Sequence, residues 1–434
     1  MKSPNRTDIH NSGSAKRIGL PQLTVFSDDW GVHPSSSQHL VKHLMGDFEV
    51  LWVNTIGMRC PTLGREDLGK VVRKLRKWSS LRLGAVAGAA KLAANDHVPK
   101  QCNPMMYPGF RSTWQRKLNR TLIGRTIRKH RDHDRKQVYL TTLPVTADLV
   151  DVLPGDWVYY CVDDFSVWPG IDHAVMDAME RELVSKVDRV VCVSETLMDR
   201  MRSMGRDDAV LMTHGIDLEH WGLCEGTESA GKQGIDDGGA DGRMVIRSRY
   251  DWARDVYGPL YLFWGLIDQR LDSEWVIKLG ESAAREGGRV VLLGPEQSPS
   301  QSLFGKKGVM FGGSVRYADL PVTARVADVL VMPYRNEAVT RAMQPLKLKE
   351  YLTTGKPVVC RDLPATRAWW DGCDLACEVD DFIHLCEMRA ASGIGQDQIA
   401  SRRQLIDESW SEKARQMHKI LIGTENMTMS GVAA

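Results

Sequence analysis

Apolar positions along this chain fall into short unbroken runs, separated by longer stretches in which they recur every three or four residues. LTVFSD, FEVLWVN, QVYLTTLP, WVYYCVDD, RVVCVSE and AVLMTHGID are nearly continuous and rich in Val, Tyr and Cys. Such runs predict strands buried on both faces of a parallel sheet. Between them, SSSQHLVKHLMG and HAVMDAMERELVSKV read as helices, the second with Val175, Met179, Leu183 and Val187 on one stripe. The pattern lapses in CEGTESAGKQGIDDGGADGR, which has almost nothing to bury. It then restarts with PLYLFWGLI, RVVLLGP, GVMFGG, DVLVMPY and PVVC, and SWSEKARQMHKIL predicts a last helix.

Strand–helix alternation on this scale predicts an α/β protein of two Rossmann-like doubly wound domains facing a central cleft. Ligands in such sheets collect at the carboxyl ends of strands. The expected divisions are a disordered leader over 1–20, a first domain over 21–222 and a flexible connector over 223–256. A second domain with the final helix takes 257–421, and a loose tail 422–434.

Composition narrows the class. With 434 residues, 43% hydrophobic and 26% charged, the chain is neither disordered throughout nor fibrous. The most apolar stretch, GAVAGAAKLAAN, is broken by Lys91 and falls short of the ~20 residues that cross a bilayer. MKSPNRTDIHNSGSAKR has no apolar centre, so no secretory signal is expected. Nine cysteines form no CxxC pair and read as reduced thiols, which predicts a cytoplasmic location.

Charge is uneven. Residues 65–136 hold 19 Lys or Arg against 5 Asp or Glu, although the whole chain carries only +2. Within them, WQRKLNRTLIGRTIRKHR places Trp114, Leu118, Leu122 and Ile127 near helical spacing among arginines. A basic amphipathic helix of this kind suits an anionic membrane surface, peripherally at the inner face; the plainer reading is a solvated flank. Nucleic acid is not expected, since no aromatic platform or reader module accompanies the charge.

Several motifs are absent. No GxGxxG follows a strand, and neither GxxxxGK[ST] nor GxSxG occurs. His39 and His43 have HxxxH spacing without a third ligand, and Asp132-His133-Asp134 follows no strand, so no metal site is expected.

The chemistry concentrates in MPYRNEAVTRAMQPLKLKEYLTTGKPVVCRDLP, which reads strand, loop, helix, glycine stop, strand. Pro345 fits the first helical position and Gly355 the left-handed stop. Lys347 then lies in the first turn, where it opposes the helix dipole unless an anion such as a phosphate is bound. Glu350, one turn on, can accept hydrogen bonds from ribose hydroxyls. A surface Lys347–Glu350 pair is the plain alternative. GLIDQRLD and FGGSVRYADLP lie at the same edge. The first offers Gly265 and a second cation, Arg270; in the second, Gly312 and Gly313 allow close approach of a planar base.

Taken together, GLIDQRLD, LLGP, FGGSVRYADLP and above all PLKLKEYLTTGKPVV resemble the donor-binding half of a GT-B glycosyltransferase, close to family 4 of retaining enzymes that build bacterial polysaccharides. FSDDWGVHPSSSQHL, LWVNTIGMRCP, YYCVDDFSVWPG, ERELVSKVDRVVCVSE and THGIDLEHW extend the resemblance from about Leu23 to Leu421. It implies transfer of a sugar from a nucleoside-diphosphate sugar to a lipid-linked or polysaccharide acceptor, with retention and no cofactor. It places Asp29, His33 and Ser35, Ser36 and Ser37 on the acceptor or diphosphate side, and gives Asp163 a role toward the acceptor hydroxyl or the developing positive charge. Lys347 and Arg270 would stabilise the leaving diphosphate without a metal.

One departure stands out. The family's paired glutamates leave seven residues between them; Glu350 matches the second, but the first position is Ala342. Asn336, Glu337 or Thr340 would then hold the sugar. Two other readings keep the fold: a nucleotide-sugar epimerase, and a non-catalytic scaffold or binding subunit.

Overall fold

The computed structural model describes residues 19–31, 35–54, 98–168, 170–222 and 247–423. His33, most of the leader, residues 55–97, the connector through 246 and the tail from 424 lie outside them. The first sheet contains β1 (Gln22–Phe26), β2 (Glu49–Val53), β3 (Lys100–Cys102), β4 (Gln137–Thr141), β5 (Asp156–Cys161), β6 (Arg189–Cys192) and β7 (Val210–Leu211). Its strands are parallel, in the order β3-β2-β1-β4-β5-β6-β7. The second contains β8 (Leu260–Trp264), β9 (Arg289–Leu293), β10 (Val309–Gly313), β11 (Val329–Met332), β12 (Val358–Arg361) and β13 (Asp374–Ala376). These too are parallel, ordered β10-β9-β8-β11-β12-β13.

Both sheets follow one plan. Strand order reverses between β1 and β4 and again between β8 and β11, so neighbouring loops leave to opposite faces and open a crevice above the carboxyl ends. The runs form strands because both faces are covered. Phe26, Trp52, Tyr139 and Trp157 are all buried, with Trp157 stacked on Tyr139 at 4.5 Å and on Phe26 at 5.7 Å.

The helices that matter for the site are α1 (Ser36–Leu44), α2 (Thr113–Arg128), α3 (His173–Lys186), α4 (Glu195–Ser203), α5 (Ser273–Arg285), α6 (Ala338–Ala342), α7 (Leu346–Thr353), α8 (Val379–Ser392) and α9 (Trp410–Ile422). Ser35, Asp172, Ser194, Asp272 and Ser409 cap α1, α3, α4, α5 and α9, each side chain accepting from a first-turn N–H. Among the described residues, no helix is long and apolar enough to cross a membrane.

Four local expectations change. The short edge strands β3 and β13 join the sheets, although their sequences carry little apolar signal. Helix α2 does not keep Trp114, Leu118, Leu122 and Ile127 on one face: it buries Ile127 with Asn119, Ile123 and Gly124, while Trp114 and Leu118 face outward. The roll has a cause: Arg116 is drawn inward by Asp148 and Glu182, and Asn119 bonds the carbonyls of Tyr107 and Gly109. Helix α9, expected with the second domain, packs on α1 and sends Ala414, Met417, Ile420 and Leu421 into the first core. Pro345 is the extended residue that caps α7, one position before the helix begins.

Candidate active site

The switch point of the second sheet is built from the ends of β8 and β11. Gly265 follows β8, Tyr334 lies just past β11, and α7 delivers Lys347 from its first turn. The Lys347 ammonium sits 4.4 Å from the centre of the Phe263 ring and 5.2 Å from that of Tyr334, and donates to the Tyr334 hydroxyl at 2.6 Å. A Cβ on Gly265 would come within 1.9 Å of Nζ, so a glycine is required for the amine to enter here. Lys347 has no ion pair among the described residues. The surface pair with Glu350 does not form.

Glu350 turns toward other partners. Its Oε2 accepts the Trp264 indole N–H at 3.2 Å, and the Tyr317 hydroxyl lies against it. Burial lifts its pKa above the usual carboxylate range, with the Trp264 and Tyr317 hydrogen bonds and the Lys347 charge pulling the other way. Tyr317 stacks on His220 at 4.2 Å, and Trp221 stacks on Trp264 at 5.9 Å. This aromatic wall is assembled from segments far apart in sequence, and no local motif signals it.

Arg270 comes from the loop after β8. Asp268 binds its guanidinium at 2.7 Å, and the Trp168 ring of the first half lies 5.3 Å away. Burial lowers the Arg270 pKa, but the Asp268 hydrogen bond and the Tyr334 and Asp163 charges outweigh it. Arg270 is therefore a directly paired cation, whereas Lys347 is held by a phenol and two ring faces, with Glu350 within reach of its charge but not bonded to it.

Asp163 lies across the gap, just past β5 and within the field of Arg270. Burial pushes its carboxyl up to about 7; Arg270 opposes that rise and Asp164 adds to it. The structure thus brings Asp163, Arg270, Tyr334 and Lys347 to one place.

The β1 loop is more self-contained. Ser35 accepts from the Gln38 N–H at 3.3 Å as the cap of α1 and donates to Asp28 at 2.9 Å. Ser36 and Ser37 are buried, and the Ser36 hydroxyl is engaged by Tyr160. Asp29 is exposed, and its carbonyl accepts from Gln38. Asp28, which the sequence did not single out, accepts from Ser27, Ser35 and Gln38 and organises this loop.

The remaining candidates divide. Gly313 has open space beside it, while a Cβ on Gly312 would meet Leu293 at 2.4 Å and Trp252 at 3.1 Å. Gly312 thus answers to packing beneath the edge. Asn336 is exposed at the mouth, with Glu337 paired to Arg335 at 3.5 Å. The Thr340 hydroxyl is committed to capping α6, accepting from the Glu337 N–H at 3.0 Å and donating to the Arg335 carbonyl. Ala342 is buried in the seam between the halves, where its carbonyl accepts from Ser194 at 2.7 Å. A carboxylate at that position would be buried in apolar surroundings. His39 stacks on Trp410 at 5.2 Å, and among the described residues no cluster of His, Cys, Asp or Glu is placed to hold a metal.

No family model matches the chain. Over 200 residues it is 28% identical to a protein of Bacillus subtilis (strain 168) named for teichuronic acid biosynthesis as glycosyltransferase TuaH. That match takes in 44% of this chain and 45% of the relative, so it spans about half the length of either. In solved structures the fold resembles HepE of Anabaena in complex with UDP, at a TM-score of 0.59 and 13% identity over 93% of this chain and 100% of that one. It also resembles the sucrose-phosphate synthase of Thermosynechococcus elongatus, at 0.62 and 13% over 93% and 99%. Two parallel sheets with flanking helices in this arrangement are the GT-B fold.

Proposed function

We propose that the chain is a retaining glycosyltransferase, moving a sugar from a nucleoside-diphosphate sugar to a lipid-linked or polysaccharide acceptor in cell-surface polysaccharide biosynthesis. One observation carries the reading: Lys347 is a cation without an ion pair among the described residues, admitted by a glycine at the β8–β11 switch point, near Arg270 and the Asp163 carboxyl that Arg270 faces. Kinship to a protein named for teichuronic acid biosynthesis and likeness of fold to one captured with UDP agree with it. Retention and the acceptor class rest on the family 4 resemblance of PLKLKEYLTTGKPVV.

The chemistry follows from charge. As the bond between the anomeric carbon and the diphosphate oxygen breaks, its electron pair moves onto the diphosphate. Lys347 and Arg270 are the cations poised to stabilise that charge, and the sheltered site strengthens their pull. Asp163 orients the acceptor hydroxyl, whose oxygen forms the new bond to the anomeric carbon as its proton passes to the departing diphosphate oxygen. Glu350 receives the ribose hydroxyls.

Thermal stabilisation by a panel of nucleotide sugars, UDP-sugars first, tests this. A donor should raise the melting temperature of the parent and leave Lys347→Ala unmoved; equal stabilisation of both would refute the diphosphate assignment. With a donor in hand, turnover should persist in EDTA and give a product of unchanged anomeric configuration by NMR. Epimerisation of donor alone would favour the epimerase reading.

A further inference from the structure

Helix α2 descends from the carboxyl edge of the first sheet toward its amino edge, because β3 ends and β4 begins at those two edges. Its outward face carries Trp114, Lys117, Leu118, Arg125, Arg128 and Lys129 at helical spacing. Trp114 is 55% exposed and Leu118 38%. The preceding loop adds Met105 at 60% and Tyr107 at 37%, with the Tyr107 ring edge-on to Trp114 at 4.9 Å.

Large apolar side chains on a water-facing surface are a cost unless something covers them. These are also held in place. Asn119, buried in α2, accepts from the Tyr107 N–H at 2.7 Å and donates to the carbonyls of Tyr107 and Gly109, both at 3.0 Å. The loop is thereby fixed to the helix, and the exposed aromatics form a standing surface.

Charge identifies the occupant. No Asp or Glu occurs between Lys100 and Arg131. Lys117, Arg125, Arg128 and Lys129 make no ion pairs among the described residues. Cations interleaved with Trp, Leu and Met fit the boundary of an anionic bilayer, where apolar groups enter the acyl region and cations meet the headgroups. A nucleic acid would use the cations but offers no place for Leu118 and Met105.

We infer that the outer face of α2 with the loop around Tyr107 is a docking surface for anionic lipid. It lies at the rim carrying the Asp163 loop, to which Arg111 is tied through Asp172. Docking by this face would bring a membrane to the acceptor side of the cleft. The surface itself stands on exposure and charge; only that consequence for acceptor delivery rests on the transferase reading.

Co-sedimentation of the full chain with phosphatidylglycerol-containing and pure phosphatidylcholine vesicles tests it. Binding to the anionic vesicles alone is expected, weakening as salt rises above ~0.1 M. Trp114→Gln with Leu118→Gln should reduce binding about tenfold or more at an unchanged melting temperature, and Lys117→Glu with Arg125→Glu likewise. Lys347→Ala should bind vesicles like the parent, which separates this surface from the catalytic reading. Absence of binding to anionic vesicles, or full binding by the Trp114/Leu118 variant, would overturn the inference. So would capture of duplex DNA as tight as that of vesicles and indifferent to the Trp114/Leu118 change.

Discussion

The two carboxyl edges share a topology and treat their polar groups in opposite ways. At the first sheet, Asp28, Ser35, Gln38 and Ser36 satisfy one another or nearby side chains, leaving Asp163 as the carboxylate held near neutrality. At the second, the Lys347 ammonium lies against two aromatic faces and a phenol, without an ion pair among the described residues. An edge that saturates itself is a scaffold with one group left to titrate. An edge that leaves a cation without an ion pair is, on the proposed function, organised around an anion that arrives later. On the proposed function, the contrast assigns the second edge to the diphosphate and the first to the acceptor.

Removing the open cation should break that contrast most severely. Lys347→Ala is expected to lower kcat about 10²–10³-fold, the scale of losing one preorganised stabiliser of transition-state charge. Gly265→Ala should follow, with a loss of about tenfold to a hundredfold, because its methyl group occupies the position of Nζ. A matched far-ultraviolet spectrum and melting curve would show that the amine moved and the fold did not.

Asp163→Asn sharpens the other edge. The parent rate should rise with pH as Asp163 ionises near 7, and this limb should vanish in the variant while kcat falls. Stability should move the opposite way. A carboxyl raised from 3.8 to about 7 binds its proton more tightly folded than unfolded, so the parent loses stability as pH climbs through that interval. The variant should therefore gain in melting temperature over the parent at pH 8 relative to pH 4. Thr340→Ala is the smallest expected effect: about 1 kcal/mol of stability from the lost α6 cap, with donor KM nearly unchanged. A large rise in KM would instead place that hydroxyl on the sugar.

Much of the fold was legible because buried parallel strands announce themselves as unbroken apolar runs, and eleven of the thirteen strands lie within such runs. Lys100–Cys102 and Asp374–Ala376 did not, since a short edge strand needs little apolar surface. Lys347 and Glu350 could be placed on α7 from a local cap-and-stop pattern. Tyr317, His220 and Trp264 could not, because they come from segments far apart in sequence that meet only on the second core. The roll of α2 was not legible either, because it depends on ion pairs of Arg116 to Asp148 and Glu182 that are distant in sequence.

Lys349, two residues past the open cation on α7, has the opposite fate. It is buried, and its ammonium donates to the Thr213 hydroxyl at 3.2 Å, to the His214 carbonyl and to Glu408, while burial drags its pKa down to about 8. Freeing that amine would leave the buried His214 carbonyl without this donor, while Glu408 would keep Lys413 at 2.9 Å. Should the two halves swing, this rivet is a point at which they stay joined. A mouth that gapes around such a fulcrum changes width at its rim while the charge beside the fulcrum stays nearly where it was. On the proposed function, a donor would enter and leave past a charge that need not be moved each time.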